Sequence, residues 1–75
     1  MTLIQVKTGQ TVQILSFKGG VCLEHKLRQL GLFPGDIARV LRHAPMGGPI
    51  LVEVDGRSIA LGRGVAAKVI VEARE

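Results

Sequence analysis

At 75 residues the chain makes one domain, spanning 1–75, near the lower size at which a single core sustains a fold. Its 47% hydrophobic content excludes a disordered chain, and with two Phe and neither Tyr nor Trp the core has to be aliphatic. The net charge of +4 sets ten Lys and Arg against six Asp and Glu, and the cations never form a run, which argues against a nucleic-acid stripe.

Ten glycines point to many tight turns, hence to short strands rather than a helical bundle. Cys22 stands alone, so no intramolecular disulfide forms, as suits a reducing cytoplasm. Met1 to Gly9 lacks the apolar stretch of a signal peptide, and no segment reaches the ~20 apolar residues of a spanning helix. Any role at a membrane is therefore expected to run through a partner.

Thr2 to Gln10 reads as a lead-in segment, ending in turn chemistry at Lys7–Gln10. Thr11 to Lys18 alternates loosely, is rich in strand formers and reads as the first strand, broken by Gly19-Gly20. Val21 to Leu30 is the one clear helix: Leu23, Leu27 and Leu30 recur at i, i+4 and i+7, and Glu24 pairs with Arg28 at i+4. Gly31 occupies the stop position where a left-handed residue is wanted, and Pro34-Gly35 makes a turn after an extended Phe33.

Asp36 to His43 reads as the second strand, with Ala38 and Val40 alternating against Arg39 and Leu41 blurring the pattern. Ala44–Pro49 is a loop. Ile50 to Val54 is the cleanest strand, with Ile50, Val52 and Val54 inward. Asp55-Gly56 signals a two-residue hairpin, and Arg57 to Leu61 returns with Ile59 and Leu61 inward. Gly62–Gly64 turns the chain, Val65–Ala67 makes one helical turn, and Lys68 to Glu72 is the last strand with Val69 and Val71 on one side. The expected fold is mostly β: a small barrel of about five strands with one helix after the first. Closure of that barrel would remove every sheet edge.

Three blocks carry a family resemblance. Leu27-Arg28-Gln29-Leu30-Gly31-Leu32-Phe33-Pro34-Gly35 is similar to L-x-x-L-G-L-x-P-G. Ala44-Pro45-Met46-Gly47-Gly48-Pro49-Ile50 is similar to A-P-x-G-[GD]-P-I. Ile59-Ala60-Leu61 with Ala67, Val69 and Val71 is similar to i-x-L…A-x-x-V-x-V. In this order and spacing, from about Gly9 to Val71, they resemble the FeoA family of ferrous-iron transport accessory proteins. The resemblance implies an SH3-like barrel with a helical insertion, working in the cytoplasm and peripheral to the inner membrane. Its implied partner is a membrane iron permease with a GTP-binding domain, the FeoB protein. Related barrels form the C-terminal domain of DtxR-type metal-dependent repressors. At Gly62 and Gly64 the chain departs from the charged or polar residues common in the family.

Two segments stand out as partner-binding. Leu27, Leu30, Leu32 and Pro34 have an ordinary explanation as core stripe and turn, and a functional one as an apolar patch for docking. In the Ala44–Pro49 loop, Pro45 and Pro49 restrict φ, and Met46 at the tip offers a flexible thioether suited to adaptable contacts.

Cys22 and His25 share a helix face at i, i+3, and thiolate plus imidazole suits iron or zinc. Two ligands fall short of a closed site, Glu24 diverges, and His43, water or a second copy would have to complete it. No cofactor is required on this reading, and metal binding is weak. No catalytic set is suggested, and Gly19-Gly20 and Gly47-Gly48 lack phosphate-loop spacing. The expected function is a non-enzymatic adaptor docking on the permease's GTPase region. The alternatives are a metal-sensing regulatory module and a small basic RNA-binding barrel. A homo-oligomer remains open to each.

Overall fold

The computed structural model describes residues 1–74. Five antiparallel strands form one sheet: β1 (Thr11–Phe17), β2 (Ile37–His43), β3 (Ile50–Val54), β4 (Arg57–Leu61) and β5 (Val69–Arg74). Helix α1 (Gly20–Gln29) lies between β1 and β2, and α2 (Arg63–Ala66) links β4 to β5. Spatial order is β4-β3-β2-β1-β5. The elements match the sequence expectation, with ends displaced by one or two residues.

Strand periodicity builds the core. Val12 and Ile14, Ala38 and Val40, Ile50, Val52 and Val54, Ile59 and Leu61, and Val69 and Val71 all face one aliphatic interior. No polar or charged residue is fully buried among the described residues. The two places where alternation falters are bulges. Register shifts between Ile14 and Ser16 against β5, and between Val40 and Arg42 against β3. Leu15 and Leu41 are thus the extra residues that let the sheet bend into a barrel-like curl.

Closure is where the expectation needs correcting. β4 and β5 do not pair with each other, so the curl keeps two edges. The lead-in segment guards one of them: Thr2 bridges Ile70, and the Val71 amide donates to the Met1 carbonyl at 2.8 Å. That segment belongs to the core, which its sequence did not reveal. A single 3-10 turn at Leu3–Gln5 drives Leu3 and Val6 into the interior. His43 Nε2 sits 2.7 Å from the Val6 carbonyl and ties the segment to the far end of β2.

The Gly62–Gly64 turn is also better defined than expected. Gly62 caps α2 at φ −60°, and α2 begins at Arg63, two residues before the expected helical turn. Neither Gly62 nor Gly64 holds a positive φ.

Candidate docking surface

Helix α1 ends in a Schellman motif. The Gly31 amide donates to the Arg28 carbonyl at 3.0 Å, and the Leu32 amide donates to the Leu27 carbonyl at 2.9 Å. Gly31 supplies the left-handed residue at φ +93°. The side chains at the two ends of the longer bond, Leu27 and Leu32, are fully buried. This corrects the docking expectation: Leu27 and Leu32 present nothing to a partner, because the cap turns both into the core. Leu23 packs half-buried beside them, and only Leu30, 38% exposed, carries the leucine stripe to the surface.

The turn that follows is fixed from several sides. The Asp36 amide donates to the Phe33 carbonyl at 3.1 Å, and Asp36 Oδ2 accepts the Phe33 amide at 2.9 Å. Pro34 takes the position its ring favours, and Gly35 the one needing positive φ, here +96°. β1 clamps the turn: the Gly35 amide donates to the Ile14 carbonyl at 2.7 Å, and the Ile14 amide to the Asp36 carbonyl at 2.9 Å.

These bonds bring exposed apolar side chains to one end of the domain. Leu30 and Phe33 flank the cap, Leu15 sits at the β1 bulge, and Ile37 opens β2 opposite Gln13; all four are exposed. Pro34 is exposed between them. Cations rim the strip. The Arg28 guanidinium lies over the Phe33 ring, 5.7 Å from its centroid, while pairing with Glu24 at 3.2 Å. Arg57 Nη2 reaches the Gly31 carbonyl at 3.4 Å, where a helix C-terminus favours positive charge. Phe33, Leu15 and Ile37 were not singled out by sequence reasoning. Leu15 and Ile37 face outward by alternation with buried Ile14 and Ala38, and the cap leaves Phe33 outside.

Pro45, Met46 and Pro49 lie elsewhere. Their loop leaves β2 at its C-terminal end, whereas the strip abuts its N-terminal end, about 20 Å away along a seven-residue strand. The two expected docking segments therefore do not converge. The loop is nonetheless well made. The Ala44 amide donates to the Pro49 carbonyl at 3.0 Å, and the Gly48 amide to the Pro45 carbonyl at 3.2 Å. Met46 stands at its tip, wholly exposed, with the left-handed φ of +59°.

Cys22 and His25 are both exposed on α1. His43 is not their third ligand, since it lies at the opposite end of β2 and engages the Val6 carbonyl. Among the described residues no group of three or more His, Cys, Asp or Glu side chains gathers to hold a metal.

The fold is thus a small mostly-β domain with an aliphatic interior, no polar side chain buried among the described residues and exposed apolar side chains at one end. A family model described as "FeoA domain" matches residues 1–73, and the chain belongs to that family. A curated relative named putative Fe(2+) transport protein A, from Methanocaldococcus jannaschii, is 32% identical over 69 residues, covering 92% of this chain and 82% of that one. The solution structure of the FeoA protein from Chlorobium tepidum superposes with a TM-score of 0.89 at 31% identity, covering 100% of this chain and 71% of that one. A manganese-dependent transcriptional repressor superposes with a TM-score of 0.89 at 20% identity, over 99% of this chain and 41% of the repressor. That last likeness is one of fold, and it places the chain among mostly-β, SH3-like domains.

Proposed function

We propose that this chain is a non-enzymatic accessory of ferrous-iron transport that docks on the GTPase region of a FeoB-type permease, on the cytoplasmic face of the inner membrane. The observation that carries the docking role is the exposed strip of Leu30, Phe33, Leu15 and Ile37 on a turn held by backbone bonds. A rigid apolar surface loses little entropy on binding, and contiguous exposed apolar groups mark contact sites. Membership of the FeoA domain family and the relative named for Fe(2+) transport supply the iron-transport setting. No helix among the described residues is long and apolar enough to cross a membrane, in keeping with attachment through a partner.

Leu30 and Pro34 make the primary contact, with Arg28 and Arg57 meeting acidic groups at its rim. Pro45, Met46 and Pro49 make a second contact with a partner long enough to reach both ends of β2. Binding shifts the GTPase region toward whichever conformation it fits better, by no more than its differential affinity. The test is a pull-down with the permease's isolated GTPase domain under each nucleotide condition. Wild type is retained and a folded Leu30→Gln/Phe33→Ala variant is not. Absence of wild-type binding under every nucleotide overturns the assignment.

A second reading is a metal-responsive module using Cys22 and His25, which stand exposed three residues apart on α1. Titration calorimetry with ferrous ion and zinc separates the two. Stoichiometric binding abolished by Cys22→Ala/His25→Ala supports the metal-responsive module; heats unchanged by that variant exclude it.

A further inference from the structure

The two edges of the sheet are treated differently. β5 is covered by the chain's own Met1 and Thr2, whereas no backbone group of β4 bonds to anything but β3 among the described residues. β4 also has no proline, bulge or lysine in Arg57-Ser58-Ile59-Ala60-Leu61, and its one charge, Arg57, stands at the hairpin end.

The hairpin determines which groups are free. Asp55 and Gly56 both have positive φ, at 52° and 76°, as a two-residue type I′ turn requires. In such a hairpin the flanking pair, Val54 and Arg57, exchanges both bonds, and the pattern then alternates. Ile59 and Leu61 therefore bond inward to Val52 and Ile50. Ser58 and Ala60 point their amides and carbonyls outward, away from the sheet. Their side chains are small and exposed, so nothing blocks approach. Between them, Ile59 is 7% exposed where the other core side chains are at 0–1%.

We propose that β4 pairs with β4 of a second copy of this chain, antiparallel about a two-fold axis at Ile59. In that register Ser58 faces Ala60 of the other copy, and these are the residues whose backbone groups are free. Each opposed Ser58–Ala60 pair exchanges two hydrogen bonds. Ile59 then faces Ile59 in a non-bonded pair, where side chains approach most closely, and its remaining exposure is covered. Charge suits this register as well. Arg57 falls opposite neutral Leu61, is already held by the Gly31 carbonyl, and lies about 13 Å along the strand from its symmetry mate. The acidic hairpin turn at Asp55 comes to the end where Arg63 of the other copy leaves its strand.

A pairing of five residues per copy buries far less than the ~800 Å² per partner of a stable dimer. Association is thus dilution-sensitive, and the test is an amide-resolved nuclear magnetic resonance titration of the full chain between roughly 10 µM and roughly 1 mM. Shifts that grow with concentration and peak at Ser58, Ile59 and Ala60 are expected. So is an isotope-filtered contact between Ile59 side chains of labelled and unlabelled copies. Ser58→Lys/Ala60→Lys opposes like charges twice and abolishes the shifts. Ser58→Glu/Ala60→Lys opposes unlike charges and tightens association on the order of fivefold. Both variants alter exposed positions, and the second keeps the proposal testable if the first fails to fold. Shifts independent of concentration overturn it, as do shifts centred on Leu30, Phe33 and Ile37.

Discussion

The Leu32 amide donates to the Leu27 carbonyl at 2.9 Å, and the side chains of both residues are fully buried. Helix termination and core packing are one event here. The bond that ends α1 also turns Leu32 inward beside Leu27, and it leaves Leu30 and Phe33 outside.

Truncation at either of these leucines opens a cavity in an aliphatic core. Leu27→Ala and Leu32→Ala are each expected to cost about 2–5 kcal/mol in urea unfolding. A domain of this size holds little more stability than that. Loss of partner binding in either variant will accompany loss of circular dichroism, and a native spectrum at full stability would contradict the burial.

At the surface the outcome should differ. Leu30→Gln and Phe33→Ala remove exposed apolar groups, so their unfolding midpoints are expected to stay within about 1 kcal/mol of wild type. Binding to the GTPase domain is expected to fall at least tenfold. A stable variant with unchanged affinity would remove the strip from the docking surface.

Gly31 is demanded chiefly by its backbone conformation. Its φ of +93° disfavours any side chain, and a Cβ there would lie 2.6 Å from an Arg57 guanidinium nitrogen. Arg57 is the far end of a flexible side chain and can swing away, so the backbone term dominates. Gly31→Ala is expected to cost about 1–2 kcal/mol. Adding Arg57→Ala should restore only a few tenths of that in a double-mutant cycle. Full rescue would mean that the steric contact, not φ, sets the requirement.

Gly64 behaves in the opposite way. It lies inside α2 without a positive φ, and an added Cβ meets nothing within 4 Å. Gly64→Ala is therefore expected to raise stability by about 0.5–1 kcal/mol, read as a higher thermal midpoint. A lower midpoint would show that α2 needs glycine for a reason outside its backbone.

Much of the fold was legible in the residues. Period-two alternation in Ile50–Val54 named its inward side chains, and Asp55-Gly56 named the hairpin, because both signals are local. The loose alternation of Thr11–Lys18 and the blur at Leu41 were visible but not interpretable. A bulge is a relation between two strands, and only the partner's register reveals it. Leu3 and Val6 escaped because a single 3-10 turn has no repeat long enough to give a period.

The proposed docking surface shows the same division. Leu27, Leu30, Gly31, Leu32 and Pro34 determine by themselves a helix, its stop and a turn, since propensity, capping and φ restriction act within a few residues. Which leucines of the helix–turn remain for a partner was decided by the tertiary structure, which buries Leu27 and Leu32 and leaves Leu30 exposed. Tertiary structure alone also separated the Met46 loop from the helix–turn by the length of β2, and left β4 as the uncovered edge. Burial and edge pairing depend on contacts between residues far apart in the chain, and no local pattern encodes them.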